Sequence, residues 1–586
     1  MPQHWRFATH DRAVVGRICS EMSCSPLLAQ VLAARGLKNG SDARKFLQAK
    51  LTDLHDPALL PGASEAAERI VAAFRADRRI TIYGDYDVDG ITATSILWYC
   101  LKLVGAKVDY YIPSRLNEGY GLNLDAIRSL HEEDPQRLVI TVDCGICSLE
   151  EAELAKRLGL ELIVTDHHKM LAELPNTVAN VHPRLPGSEY PFPELCGAGV
   201  AFKVAWAVCQ LLGDGTKASP RMRDFLKSAV GLAALGTVAD VVPLIGENRI
   251  LVRYGLKSLI DDRTPGLEML IKIAGLHDKK SLSSEDIAFA LAPRLNAAGR
   301  LGQARLAVEL LTTDQRSRAA QLADYLDQLN KNRQTVERRI FKQAKELVEA
   351  HPEWDDMGAL VLANDDWHGG VIGIVASRIA EHFQKPTLMI SINQDTRMGH
   401  GSGRSWANFD LYSGLAACDE FLESFGGHRV AAGLRVHEDR VEDFRRAFSD
   451  YVISHRDEDM IAPELPVDAE VSLHDLTHSA IKELDTLGPF GAEHPKPLFA
   501  VRNVTLAEPP TTMGGGGRHL ALKVRQGDKV LRCIAFGKGD WAEEIAQVDE
   551  PFSICFSAGI NEYRGYSNVE LQLKDFQTNV SPVGTN

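Results

Sequence analysis

Cysteine is sparse in this chain, ten residues scattered over 586. That excludes a disulfide-built scaffold and fits free thiols in a reducing cytoplasm. Long apolar runs are missing as well. The stretch from 229 to 242 is too short to span a bilayer and carries Asp240. The opening residues 1–7 have no apolar core of the kind a secretion signal needs, so a cytoplasmic protein without a membrane partner is expected. Nor is there an excess of positive charge. The formal net charge is −14, which argues against a general nucleic-acid coat. A local basic channel stays compatible with it, because a partner feels the local potential rather than the total. Repeats and low-complexity tracts are also lacking. The remainder is ordinary for a globular protein, 45% hydrophobic and 25% charged, and the length suggests three or four domains.

What the chain does have is a dense carboxylate cluster. Residues 80–84 read as a short buried strand running into Asp85, Asp87 and Asp89, with Gly84 and Gly90 on either side and a helix from Ile91. Three like charges within five residues repel one another unless cations neutralise them, and oxygen ligands suit Mg²⁺ or Mn²⁺. A solvated acidic turn is the plain alternative. A calcium loop is the other, but its twelfth position is Ile96 rather than Glu.

From there, strands and helices alternate. Strands are expected at 107–112, 137–142, 161–165 and 178–181, and helices at 65–75, 124–130 and 149–158. This order, with near-continuous apolar strands, predicts a mostly parallel sheet covered on both faces. Ligands of such sheets lie beyond the strands' carboxyl ends. Three strands here end in metal-capable side chains: Asp87 with Asp89, Asp143, and His167. The topology should therefore gather them. Asp240, inside the apolar run 236–243, is either a helix cap or a fourth metal-ligating carboxylate. Cys144 and Cys147 have redox-motif spacing, but Asp143 just before them has the better use.

Arg294, Asn296 and Arg300 lie among small residues and either clamp a phosphate or cap two helices. Residues 304–349 read as strongly helical, with a break at Thr312 and Thr313. The run carries Lys331, Arg333, Arg338, Arg339, Lys342 and Lys345. A basic helix of this kind is a solvated connector or one wall of a channel for a polyanion. A second α/β unit is expected at 355–455. Two glycine-rich loops in it, 399–405 and 426–433, would let backbone N–H groups approach a phosphate. Residues 463–466 look like a linker. Beyond it, five short β runs within about 110 residues suit a Greek-key barrel of the OB type. Arg518, Lys523, Arg525, Lys529 and Arg532 make the barrel basic, and Phe536, Phe556 and Tyr563 are either base-stacking faces or core.

Taken together, residues 85–90, 143–145, 166–168 and Asp240 resemble the four motifs of the DHH phosphoesterases. Residues 401–405 and 426–428 resemble the accessory DHHA1-type domain found with them. Pro113, Arg115 and 118–121, with the barrel, narrow the resemblance to the single-stranded-DNA-specific 5′→3′ exonucleases of that family. It implies an α/β architecture: a helical extension (1–60), a mostly parallel-sheet DHH domain (61–303), a connecting helix (304–354), a DHHA1-type domain (355–460) and an OB-type barrel (464–578). It implies two divalent cations, Mn²⁺ or Mg²⁺, held by Asp87, Asp89, Asp143, His167 and Asp240, with Asp143 as the bridge. It implies Asp85, Asp143 and His168 as catalytic residues, His168 contacting the scissile phosphate. It places Arg115, Ser402 and Arg404 at the 5′ end of the DNA, His428 near the phosphates, and Arg294, Asn296 and Arg300 among the phosphate ligands. The products would be 5′-mononucleotides, and the setting DNA repair and recombination. A single-strand-binding protein and a RecQ-type helicase are the implied partners of a monomeric enzyme. Cys147 departs from the pattern, where Ser or Thr is expected, without a consequence for the chemistry. The same motifs occur in inorganic pyrophosphatases and in enzymes degrading very short RNAs, which need neither the barrel nor the basic connector. The third reading is an inactive scaffold that only binds nucleic acid. The intact Asp87, Asp89, Asp143, His167, His168 and Asp240 argue against it.

Overall fold

The computed structural model describes residues 4–115, 118–214, 216–455, 464–563 and 566–578. The chain divides into two compact units. One combines Met1–Lys50 with Ile461–Phe490 and His494–Asn586; the other is Leu51–Met460 with Gly491–Glu493. Strand β1 (Trp5–Phe7) belongs to the first unit.

The larger unit contains two sheets. The first is built from β2 (Ile80–Gly84), β3 (Val108–Tyr111), β4 (Leu138–Val142), β5 (Glu161–Thr165) and β6 (Ala179–Val181) in the order β3-β2-β4-β5-β6. All its pairings are parallel. Every residue of β2 and β4 is buried, as a sheet covered on both faces requires. The order reverses at β2, so β2 and β4 flank a switch point where ligands collect. The helix Val88–Val104 starts straight from β2 because Asp87 caps it, accepting from the N–H groups of Asp89 and Gly90. Gly105, at φ +85°, ends it.

The second sheet contains β7 (Leu360–Asn364), β8 (Thr387–Ile392), β9 (Met398–Arg404), β10 (Ser424–Gly427) and β11 (Ala431–His437), in the order β10-β11-β9-β8-β7. Here the structure corrects the sequence reading. The glycine-rich stretches expected as loops are largely strands. In β9 a Cβ on Gly401 would lie 2.7 Å from Leu434 Cγ, and one on Gly403 would lie 2.4 Å from Leu388 Cδ2. These glycines make room for the leucines of the flanking strands. The helical run expected at 304–349 forms two helices, Ala304–Thr312 and the 34-residue Arg316–Glu349, with the expected break between them.

In the smaller unit β12 (Leu465–Val467) pairs in parallel with β1, so the expected linker is already strand at Leu465; Pro463 lies outside the described residues. β13 (Ala469–Glu470) joins β14 (Phe499–Met513), β15 (His519–Gln526), β16 (Lys529–Ala535), β17 (Phe552–Tyr563) and β18 (Tyr566–Thr578). The ring β14-β15-β16-β18-β17 closes through β14–β17, and β16–β18 is parallel. This is the five-stranded closed barrel of the OB type. Its core is shared with the N-terminal helices: Ile18, Leu28, Val31 and Leu32 pack in one cluster with Phe499, Phe552 and Phe556. Trp5 Nε1 donates to Asp575 Oδ2 at 2.7 Å.

Candidate metal centre and phosphate pocket

The side chains expected to converge do so at the carboxyl edge of the parallel sheet. His167 Nε2 lies 3.1 Å from Asp143 Oδ1, 3.6 Å from Asp240 Oδ2 and 3.8 Å from Asp89 Oδ2. Asp89, His167 and Asp240 form one potential ligand group, and Asp85, Asp87 and Asp143 a second. Asp143, a member of the second, meets the first through His167 and forms a third group with His167 and His168. Its φ of +62° is left-handed, a conformation that Asp and Asn tolerate. Asp240 ends the helix Pro220–Ala239, and its backbone N–H closes that turn on the Gly236 carbonyl, which leaves the carboxylate to the centre.

Asp89 is fixed from a second side. The helix Gly197–Leu211 points its first N–H groups at the carboxylate, Gly197 at 2.6 Å and Ala198 at 2.8 Å. Anions are favoured at such a terminus. The approach is so close that a Cβ on Gly197 would lie 2.5 Å from Asp143 Cβ, and one on Gly236 2.4 Å from Asp89 Oδ1.

The electrostatics are those of a centre built for cations. Burial, then the neighbouring carboxylates, pushes Asp85 and Asp143 well above the usual range. Burial, Asp89 and Asp87 raise Asp240 to about 9. Burial raises Asp89 also, against the pull of His167. Burial lowers His167 to about 4, so its ring is neutral and its nitrogen can act as a ligand. Asp85 Oδ1, Asp143 Oδ1 and His167 Nε2 are all buried without a hydrogen-bond partner. Orphaned acceptors in an oxygen-rich cluster fit a hard divalent ion.

Asp166 is a residue the sequence reading passed over. Buried, it accepts from the N–H groups of Ile146, His167 and His168 and from His168 Nδ1 at 2.7 Å. Burial opposes its ionisation, but the His168 bond and charge prevail and bring it to about 2. Burial likewise opposes the charge on His168, and Asp166 overrides it to about 9. The Tyr120 hydroxyl lies 3.0 Å from His168 Nδ1 and donates to the Asp143 carbonyl at 3.2 Å. The signal for Asp166 was its place at the end of β5. Cys147 donates to the Lys169 carbonyl at 3.2 Å, Cys144 is buried, and both are free thiols.

A cationic pocket adjoins this centre. The Arg115 guanidinium lies 5.0 Å above the Tyr86 ring. Burial, then repulsion from Arg115, Arg333 and Arg404, lowers Arg300 to about 10, and Asp87 offsets part of it. Arg404 Nη1 donates to Ser402 Oγ at 3.2 Å, and Gly373 leaves the space beside them, since its Cβ would lie 2.8 Å from that oxygen. Asn296 Oδ1 accepts from the Val88 N–H at 3.2 Å and so steadies the carboxylate loop. Arg294 turns instead to Asp327, at 2.9 Å. His428 is exposed at the β10–β11 turn.

On the barrel, Lys523 pairs with Glu508 and Arg532 with Glu570. Phe536 is exposed and Phe556 fully buried; the Tyr563 side chain lies outside the described residues. Among the described residues no helix is long and apolar enough to cross a membrane.

Comparison with known proteins agrees with this layout. The DHH family N-terminal domain matches residues 79–237, the DHHA1 domain 356–454 and the RecJ OB domain 467–575. The single-stranded-DNA-specific exonuclease RecJ of Bacillus subtilis strain 168 is 39% identical over 97% of this chain and 70% of its own length. That of Escherichia coli K12 is 34% identical, covering 93% and 95%. The crystal structure of RecJ from Thermus thermophilus in complex with Mn²⁺ superposes with a TM-score of 0.83 at 31% identity, covering 99% of this chain and 80% of that one. The same protein in complex with Mg²⁺ gives 0.77 at 30%, covering 99% and 79%. Fold and centre are those of a metal-dependent DHH phosphoesterase. Within that class, the chain belongs to the RecJ family of single-stranded-DNA-specific exonucleases.

Proposed function

We propose that this protein is a 5′→3′ exonuclease that degrades single-stranded DNA to 5′-mononucleotides, with two divalent cations, Mn²⁺ or Mg²⁺. The observation that carries the reading is the union of two features: buried ligand atoms without partners, and an arginine pocket next to them. Asp87, Asp89, Asp143, His167 and Asp240 would hold the cations, with Asp143 between them. Bound there, the cations would screen the phosphodiester's charge, lower the pKa of water and stabilise the leaving 3′-oxygen.

The protein's own groups do the rest. Protonated His168, held by Asp166, donates to a non-bridging oxygen of the scissile phosphate. Asp85, kept buried beside Asp87 and Asp143, supplies a carboxylate to the reacting water. Arg115, Arg300 and Arg404, for which no carboxylate partner is seen among the described residues, bind the terminal 5′-phosphate with Ser402. Asn296 keeps the loop 85–90 in place, while Arg294 is engaged by Asp327. His428 reaches the phosphates from the turn. The barrel's basic residues hold the strand by its backbone, and Phe536 offers a stacking face. The family resemblance extends the reading to DNA repair and recombination in the cytoplasm, by a monomer working with a single-strand-binding protein and a RecQ-type helicase.

The test is a single strand with a 5′-phosphate and a label at each end, incubated with Mn²⁺, with EDTA, and with Asp143→Asn. Early release of the 5′ label as mononucleotide, lost in EDTA and in the variant, is expected. An intact strand alongside hydrolysed pyrophosphate or dinucleotides would replace this reading with a small-substrate phosphoesterase.

A further inference from the structure

The helix that carries Asn296 and Arg300 contains one irregular turn. It begins at Ser284, where Ser283 and Asp286 form a capping box, and it continues as α-helix from Ala292 to Arg300. Between them, Ile287–Leu291 is a π-turn in which the Ala292 N–H bonds to the Ile287 carbonyl, five residues back. The cause is Pro293. Its ring would meet the carbonyl of Phe289 four residues earlier, and its missing N–H leaves that carbonyl without a partner. Widening the turn relieves both. Such single π-turns concentrate at functional sites.

The consequence is an aromatic residue turned into solvent. Phe289 is 81% exposed, the most exposed of the large hydrophobic residues among the described ones. No ring contact of Phe289 appears among the described residues. Its neighbours Ala288 and Ala290 are small. Beside it, Arg294 donates to the Ala290 carbonyl at 2.7 Å and pairs with Asp327, which also pairs with Lys331 at 2.8 Å. Two cations share one carboxylate, and the Lys331 side chain is 65% exposed. Phe289 lies seven residues before Asn296, roughly 10 Å along the helix from the residue that bonds the carboxylate loop.

We propose that Phe289 is a stacking platform for a nucleobase of the bound single strand, presented by the proline-widened turn, with Lys331, which shares Asp327 with Arg294 of the same helix, for a phosphate of that strand. The inference rests on the single-strand exonuclease reading and adds a residue to it. A base offers a π-face whatever its identity, so one ring grips a strand without reading its sequence. Continuity with the metal centre through one helix favours the substrate strand as the occupant over a partner protein.

The experiment uses the full chain in the Asp143→Asn background with Mn²⁺ present, so that the strand is bound and not consumed. Affinity for a 5′-phosphorylated twenty-nucleotide strand is measured for Phe289→Ala, Phe289→Leu and Phe289→Trp. In parallel, 2-aminopurine is placed at successive positions of the strand. The expected result is a tenfold or greater loss with Ala and with Leu, parent affinity with Trp, and one 2-aminopurine position whose quenching requires an aromatic residue at 289. A loss below twofold with Ala, or parent affinity with Leu, overturns the platform. Degradation of the strand with Asp143 restored reads the underlying activity separately. A parent that neither binds nor degrades the strand overturns the exonuclease reading and the platform with it.

Discussion

At the scale of single residues, Asp143 carries two opposed demands. It is buried among carboxylates that repel it, and its backbone is left-handed. Asn keeps that backbone and removes the charge, so the substitution isolates electrostatics from strain. Asp143→Asn should raise the cation-free melting temperature by about 1 °C, the shift that ~1 kcal/mol produces in a unit as large as Leu51–Met460. It should also erase the stabilisation that Mn²⁺ gives the parent. Thermal denaturation with and without Mn²⁺ reads both effects. The Asp166–His168 pair sets a pH window. His168 is raised to about 9 from an ordinary 6.5, so the pair's stabilisation is complete below 6.5 and is lost as pH climbs through 9. Asp166 is lowered to about 2 from 3.8, so the same stabilisation is lost on the acid side as pH falls through 2. Asp166→Asn should return the His168 imidazole toward 6.5 in an NMR titration of the cation-free protein. The gap in melting temperature between parent and variant should be widest between about pH 4 and 6.5 and close toward pH 9.

At the scale of elements, the centre depends on helices that approach the carboxylate loop without side chains between them. A Cβ on Gly299 would lie 2.3 Å from the Tyr86 carbonyl oxygen, a backbone atom that cannot rotate away. Gly299→Ala should therefore push the loop 85–90 by a few tenths of an ångström or more. The expected outcome is a loss of activity of about 10²-fold, the cost of misplacing reacting groups by about an ångström, together with weaker Mn²⁺ binding by calorimetry. A variant with parent activity would mean that the helix, not the loop, yields. The glycines of β9 are a different case. Their neighbours are leucine and isoleucine side chains, so they serve packing, and the proposed phosphate binding rests on Ser402 and Arg404 instead.

At the scale of the molecule, the two units should unfold as two transitions, since each has its own core. The cation centre lies wholly in the larger unit, so Mn²⁺ should shift that transition and leave the other. Leu28 is buried in the barrel's core cluster although 471 positions separate it from Phe499. Leu28→Ala should cost the smaller unit about 2–5 kcal/mol, as large-to-small core changes do, with the Mn²⁺-responsive transition unmoved. Differential scanning calorimetry of the full chain distinguishes the two. A single shared transition shifted by both would show that the units unfold as one.

The parallel sheet, the barrel strands and the convergence of Asp87, Asp89, Asp143 and His167 were legible in the amino-acid order, while Asp240 stayed open between a helix cap and a ligand. Apolar runs of period-specific length and the polarity of parallel sheets are local signals, and the strand ends can be counted without coordinates. What holds those side chains in place was settled by packing alone. That Gly197 and Ala198 grip Asp89, and that Arg294 turns to Asp327 while Arg300 faces Arg115 and Arg404, are contacts between positions far apart in the chain. Asp166 and His168 are close in sequence, but the bond that charges the histidine depends on a burial that only the folded sheet supplies. The glycine-rich strands misled for a related reason. A glycine is legible as a missing side chain, but whether a phosphate or a neighbouring leucine fills the space depends on which strand lies next to it.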